Sequence, residues 1–185
     1  MLELSNQFKL VNTSLNDVFI IKKLIIDDDR GSFVKIFSSN VFPKEIISTN
    51  FKEAYYSYSK KSVIRGLHYQ IPPHSHAKLI TVLEGEILDV CIGVDKKNKS
   101  NNFGKHFSTI LSSKNALSLY IPEGYAHGYQ VLSDYAIVIN HLTSVYEPTH
   151  ESGILYNSFG FDWPIKNPII SEKDQLQMPF SQLNN

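Results

Sequence analysis

Short apolar runs alternate with turn-forming residues along most of the chain, and nearly every run has the two-residue period of a strand. Lys78–Leu83 and Glu86–Ile92 are two such runs, and the Glu84-Gly85 step between them predicts a hairpin with a tight turn at Gly85. Further β-rich runs cover Phe107–Leu111, Ala116–Ile121, Tyr129–Leu132 and Tyr135–Leu142. Short strands punctuated by turns in this way predict an all-β protein, an antiparallel sandwich or barrel. Helical turns fit only at Ser39–Ile47 and after Ser171, so helices are minor. The stretch Tyr135–Ile139 is apolar on both parities, which predicts a strand covered on both faces by a second sheet or a second subunit. Asp95–Gly104, rich in Lys, Asn and Ser, reads as a surface loop. No internal repeat and no Pro-, Gly- or Ser-rich linker is visible, so one domain over residues 1–185 is expected.

Charge and composition narrow the function. Eighteen Lys and Arg balance eighteen Asp and Glu, leaving no excess positive charge for a nucleic-acid partner. The longest apolar runs, such as Val18–Ile21 and Ala136–Ile139, fall far short of the ~20 residues of a membrane-spanning helix, so no membrane partner is expected. The single Cys91 cannot form an internal disulfide, and Met1–Ser5 lacks the features of a secretion signal; a reduced, cytoplasmic protein is expected. Cys91 itself, in an apolar run with no activating neighbour, reads as a buried, inert thiol.

Polar residues interrupt the strands at Arg65-Gly-Leu-His68-Tyr-Gln70, His74-Ser-His76-Ala-Lys78, Pro122-Glu-Gly-Tyr-Ala-His127-Gly128 and Ser171-Glu-Lys-Asp174. A buried polar side chain must be hydrogen-bonded or face a solvated cavity, and four such clusters together point to a ligand cavity at a barrel mouth. His74-x-His76 begins a metal-ligand pattern, but Ile80 and Thr81 stand where its carboxylate should follow, so no metal is expected and both histidines read as rim residues. The nucleophile elbow, phosphate loop and dinucleotide fingerprint are all missing.

The ordered segments Asp29-Arg30-Gly31-x-Phe33, Arg65-Gly-Leu-His-Tyr-Gln70, Lys78-Leu79, Gly85-Glu-Ile-Leu-Asp89-Val90, Ile121-Pro-Glu-Gly-Tyr-Ala-His-Gly-Tyr129, Tyr146-x-Pro148 and Ser171-Glu-Lys-Asp174 resemble the dTDP-4-dehydrorhamnose 3,5-epimerase family over about residues 18–175. The resemblance implies a cupin, or double-stranded β-helix, jelly roll. It also implies a homodimer with cross-subunit contacts to the active site, and a nucleotide-diphosphate-linked 4-keto sugar as substrate without metal or organic cofactor. By match to the family's motifs, His68 would be the base, Asp174 its carboxylate partner and Lys78 the cation near the C4 oxygen. Arg65 and Arg30, the latter from the other subunit, would hold the diphosphate, Phe33 would stack on the nucleobase, and His127 and Tyr146 would belong to the binding pocket.

The departures from the family pattern matter as much. The family's proton-donating tyrosine falls at Asn140, whose carboxamide is no acid, and this favours inversion at C3 alone over inversion at both C3 and C5. Tyr55, Tyr69, Tyr129 and Tyr146 are the tyrosines that could return the proton instead. At the nucleobase end Lys35 and Glu53 replace residues that hold thymine, favouring GDP over dTDP or CDP, with a hexose or a surface-polysaccharide heptose attached. A 3,4-ketoisomerase and a non-catalytic nucleotide-sugar binding protein are the competing readings.

Overall fold

The computed structural model describes residues 1–44, 46–97 and 101–184, so Asn98, Lys99 and Ser100 of the expected polar loop lie outside the described residues. The chain begins with β1 (Leu2–Glu3), β2 (Phe8–Asn12) and β3 (Phe19–Lys23), then a two-stranded arm of β4 (Ile25–Asp28) and β5 (Gly31–Val34). β6 (Glu53–Lys60), β7 (Ile64–Gln70), β8 (Lys78–Glu84) and β9 (Glu86–Gly93) follow. β10 (His106–Ser112), β11 (Leu117–Ile121), β12 (Tyr125–Val131), β13 (Tyr135–Leu142) and the short β14 (Glu151–Gly153) complete the strands. Among the described residues the helical elements are the single turn α1 (Glu172–Gln175) and two 3-10 turns, Pro148–His150 and Phe180–Asn184.

The strands form two antiparallel sheets, seven-stranded β1-β2-β3-β11-β8-β13-β6 and five-stranded β10-β9-β12-β7-β14. From β6 to β9 and again from β10 to β14, each strand lies in the sheet opposite its predecessor, which is the winding of a cupin jelly roll. The predicted Lys78–Ile92 hairpin is therefore wrong in its pairing. Both edges of β8 are taken by β11 and β13, and both edges of β9 by β10 and β12, so the chain at Gly85 turns a corner between sheets. Only glycine fits there: φ is +81°, and a Cβ would lie 2.1 Å from the Tyr135 carbonyl oxygen.

Three apolar clusters hold the fold. Between the sheets lie Val18, Ile80, Val82, Ile87, Cys91, Leu119, Tyr129 and Val138. The outer side of the five-stranded sheet is covered by the carboxy-terminal segment through Ile154 and Trp163, so all seven residues of β12 are buried. On the outer side of the seven-stranded sheet, Phe8, Ile21, Leu79 and Tyr120 pack under Phe42 and Ile47. The Ser39–Ile47 stretch reaches this position through turns; among its described residues there is no helix.

That cover is partial. β13 alternates strictly, with Ala136, Val138, Asn140 and Leu142 buried and Ile137 and Ile139 only half-buried. Within one chain the expectation of two covered faces is met only at one end of this strand, where Phe37 and Phe51 pack against His141, while Ile137 and Ile139 stay half-buried. Tyr58 and Tyr56, the register partners of Ile137 and Ile139 on edge strand β6, are 54% and 71% exposed. On the same side Lys23 is buried without a carboxylate partner among the described residues. Its Nζ donates to the Leu117 carbonyl (3.1 Å) and to Ser118 Oγ (2.5 Å), and burial pushes the ammonium down to about 7.

Candidate active site

A cavity of about 720 Å³ opens between the two sheets, within the size range of about 300–1,000 Å³ usual for small-molecule sites. Its five-stranded wall depends on an irregularity in β7. His68 pairs with His127 of β12 and Arg65 with Tyr129, so Gly66 and Leu67 together oppose the single Gly128. Residues three apart on a regular strand point to opposite faces; the extra residue resets the alternation and sends both Arg65 and His68 into the cavity. The backbones approach closely to achieve this. A Cβ on Gly66, where φ is +112°, would lie 2.6 Å from the His127 carbonyl oxygen, and one on Gly128 would lie 2.7 Å from the Arg65 carbonyl oxygen.

His68 is oriented by a carboxylate from the far end of the chain. Ser171 caps α1 by accepting the Asp174 backbone N–H, which presents the Asp174 side chain to β7. Asp174 Oδ1 lies 2.7 Å from His68 Nε2, and Oδ2 accepts the Gly66 N–H at 3.2 Å. Burial alone would raise the Asp174 carboxyl, but the bonds from His68, Gly66 and Ser171 hold it below its ordinary value. The carboxylate accepts, so Nε2 carries the imidazole proton and Nδ1 keeps its lone pair.

Lys78 enters from β8 on the opposite wall. It is buried, and its Nζ donates to the His68 carbonyl oxygen at 2.9 Å. Burial lowers its ammonium to about 8, against the pull of Asp89 and Glu151. His127 also lines the cavity; its Nε2 meets the fully buried Asp89 Oδ2 at 2.9 Å, and burial pushes His127 below its ordinary range despite that partner. Arg65 donates through Nε to Ser59 Oγ at 2.8 Å, and Tyr129 Oη is bonded to Ser57 Oγ at 2.7 Å.

Other expected residues distribute unevenly. Glu53, Tyr146 and Asn140 line the cavity, and Glu53 accepts the Tyr146 backbone N–H at 2.9 Å. Arg30, Phe33 and Lys35 do not line it: Arg30 pairs with Asp28 at 2.6 Å on the exposed arm, Phe33 is 57% exposed, and Lys35 is exposed just beyond β5. His76 is more than a rim residue. It lines the cavity with both ring nitrogens buried and without a hydrogen-bond partner among the described residues, and burial lowers it to about 3. His74 instead packs against His150, the ring centres 4.5 Å apart and the planes tilted by 49°. Cys91 is fully buried, and burial drives its thiol far up.

Sequence reasoning missed Glu151. It lines the cavity from β14 and accepts from Tyr146 Oη and Lys173 Nζ, each at 2.5 Å. No motif surrounds it, and only the pairing of β14 with β7 brings it near His68. Among the described residues no group of three or more His, Cys, Asp or Glu could hold a metal ion, and no helix is long and apolar enough to cross a membrane.

Comparison with known proteins agrees with this arrangement. The sequence profile of the dTDP-4-dehydrorhamnose 3,5-epimerase family matches residues 12–182. An enzyme of that name from Shigella flexneri is 38% identical over 168 residues, covering 89% of this chain and 92% of the relative. The crystal structure of dTDP-4-dehydrorhamnose 3,5-epimerase from Elizabethkingia anophelis superposes with a TM-score of 0.88 at 34% identity, covering 97% of this chain and 100% of the other. A dTDP-6-deoxy-D-glucose-3,5-epimerase from Legionella pneumophila, solved with dTDP-4-keto-L-rhamnose, gives 0.87 at 32% identity, covering 95% and 96%. A cavity with a His-carboxylate pair facing a buried lysine, on this fold and with these relatives, means that the chain belongs to the dTDP-4-dehydrorhamnose 3,5-epimerase family and is an isomerase of the nucleotide-sugar epimerase class.

Proposed function

We propose that the protein inverts C3 and C5 of a dTDP-linked 4-keto-6-deoxy sugar without a metal or organic cofactor. The observation that carries this reading is the oriented His68–Asp174 pair facing Lys78 across one cavity. The C4 ketone acidifies the hydrogens on its neighbours. His68 Nδ1 takes one of them, Asp174 stabilises the imidazolium that forms, and the electron pair moves onto the C4 oxygen as an enolate. Lys78, in its protonated form, favours that enolate from within a buried site where a positive charge acts strongly. Delivery of a proton to the opposite face of the same carbon completes the inversion. Arg65 has the guanidinium geometry for a phosphate oxygen.

The names of the relatives support inversion at both centres and a thymidine nucleotide over the C3-only, GDP-linked or heptose alternatives suggested by Asn140 and Lys35. Lys35 lies outside the cavity of its own chain, which weakens the case for GDP. One observation keeps the C3-only reading in view: Asn140 faces the cavity with no side-chain hydrogen bond among the described residues. We place the enzyme in the cytoplasm as one domain and as a homodimer. The uncovered Tyr56, Tyr58, Ile137 and Ile139 supply an apolar face for pairing, and Arg30 and Phe33 on the arm would reach a partner's cavity.

The test is incubation in D2O with dTDP- and GDP-linked 4-keto-6-deoxy sugars, following C3 and C5 by NMR. Deuterium and inversion at both positions of the dTDP sugar are expected. Deuterium at C3 alone, or turnover of the GDP sugar only, would replace this reading with the corresponding alternative. Migration of the carbonyl would reveal a ketoisomerase, and binding without exchange a binding protein.

A further inference from the structure

With Asn140 unable to act as an acid, the epimerase reading, on which this inference rests, needs another proton donor facing His68. His68 stands on β7 of the five-stranded sheet, so a group that serves the opposite face of the sugar belongs on the seven-stranded wall. Five tyrosines border the cavity. Tyr56 alternates with Tyr55 along β6 and pairs with Ile139 on the outer face, 71% exposed, and three others are committed elsewhere. Tyr129 Oη is tied to Ser57 and Ser59, Tyr146 Oη to Glu151, and Tyr69 packs with the outer cluster of the five-stranded sheet, on the same strand as His68.

Tyr55 is different. It is the direct register partner of Asn140 on the neighbouring strand β6. Paired residues share a face with Cβ atoms about 4.5–5.5 Å apart, so a side chain at either position enters the same part of the cavity. Tyr55 lines that cavity, and its hydroxyl has no protein partner among the described residues. We propose that the Tyr55 phenol is the group that returns the proton to the sugar ring opposite His68, standing one strand away from the position that Asn140 occupies.

The step balances without another reactant. The enolate electron pair forms the new C–H bond as the Tyr55 O–H bond breaks, the C4 carbonyl is restored, and the phenolate regains a proton from solvent at the cavity mouth. Tyr55 is 48% exposed in the single chain, yet desolvation on its cavity side, with Tyr129 and Glu53 nearby, pushes the phenol up to about 12, so it holds its proton until the enolate forms; Arg65 acts in the other direction, favouring the phenolate that follows.

The experiment compares wild type with Tyr55→Phe in D2O on the dTDP- and GDP-linked 4-keto sugars, recording inverted product and deuterium in recovered substrate separately. The phenyl ring is retained, and circular dichroism checks the fold. The expected result is a loss of inverted product of about 100-fold or more, the usual worth of a general acid. His68 would still exchange the substrate hydrogen with retention of configuration. Restoration of inversion by Asn140→Tyr in the Tyr55→Phe background would support the proposal further. Inversion by Tyr55→Phe within a few-fold of wild type overturns it, as does a folded variant that has lost exchange and inversion alike, which would make Tyr55 a binding group. If wild type itself exchanges no hydrogen on any of these sugars, the epimerase reading falls first, a result distinct from either.

Discussion

Replacing Asp174 with asparagine keeps the side chain's size and removes its charge at a place where the structure allows the effect to be worked out. The His68 and Asp174 side chains meet at 2.7 Å, and they are 31% and 6% exposed. When His68 takes a proton, the imidazolium and carboxylate charge centres lie about 4 Å apart. At an effective dielectric of about 20 their attraction is about 4 kcal/mol. Most of that appears only once the histidine is charged, so it stabilises the enolate-forming transition state and corresponds to about a thousandfold in rate. The carboxamide also retains an acceptor for the Gly66 N–H, so the fold should survive. The assay is the rate of C3–H exchange in D2O at saturating nucleotide sugar, with a melting curve on the same sample. A loss of about 10³ in exchange with a nearly unchanged melting temperature is expected. A loss below tenfold would refute the assignment of His68 as the base that Asp174 supports.

Other outcomes follow from the remaining geometry. Lys78, lowered to about 8, loses its charge as pH rises through that value, so exchange should decline above about pH 8, and Lys78→Met should abolish it at every pH; a flat profile from pH 7 to 9.5 would contradict its role. Lys23 binds its proton more weakly in the folded chain, at about 7, than at its ordinary 10.5, so its penalty is complete below about pH 7 and is relieved as pH rises towards 10.5. Urea unfolding of wild type against Lys23→Met should show that rise and remove it, the variant being the more stable of the two at pH 6. Gly66→Ala places a methyl 2.6 Å from the His127 carbonyl oxygen at φ +112°, and should cost about 2 kcal/mol or more of unfolding free energy together with activity.

What could be read in advance follows the range of the interactions involved. Alternation within a strand is local, so β13 was legible to its ends as Tyr135–Leu142, and Gly85 was legible as a turn. Which strands pair is non-local. The corner at Gly85 resembles a hairpin until β11 and β13 are known to occupy the edges of β8. The same division runs through the cavity. His68, Lys78 and Asp174 stand in recognisable motifs, and three distant segments bring them together. Glu151 has no local pattern, and its place comes only from β14 pairing with β7. Arg30, Phe33 and Lys35 have motif positions but sit on an arm that leaves their own chain's cavity, a property that spacing along the sequence does not encode. His76 was misplaced because the loop between β7 and β8 turns inward, carrying with it an imidazole that has no hydrogen-bond partner among the described residues.

The irregular pairing of β7 with β12 makes the length of one tripeptide step a fixed quantity. Arg65 and His68 share a face only because one additional residue lies between them relative to the opposing strand. Deleting Gly66 or Leu67, or inserting a residue beside them, would leave every side chain of the motif chemically present and turn the guanidinium or the imidazole out of the cavity. Length variation in this protein is therefore far more damaging at Arg65–His68 than any conservative exchange of the same residues.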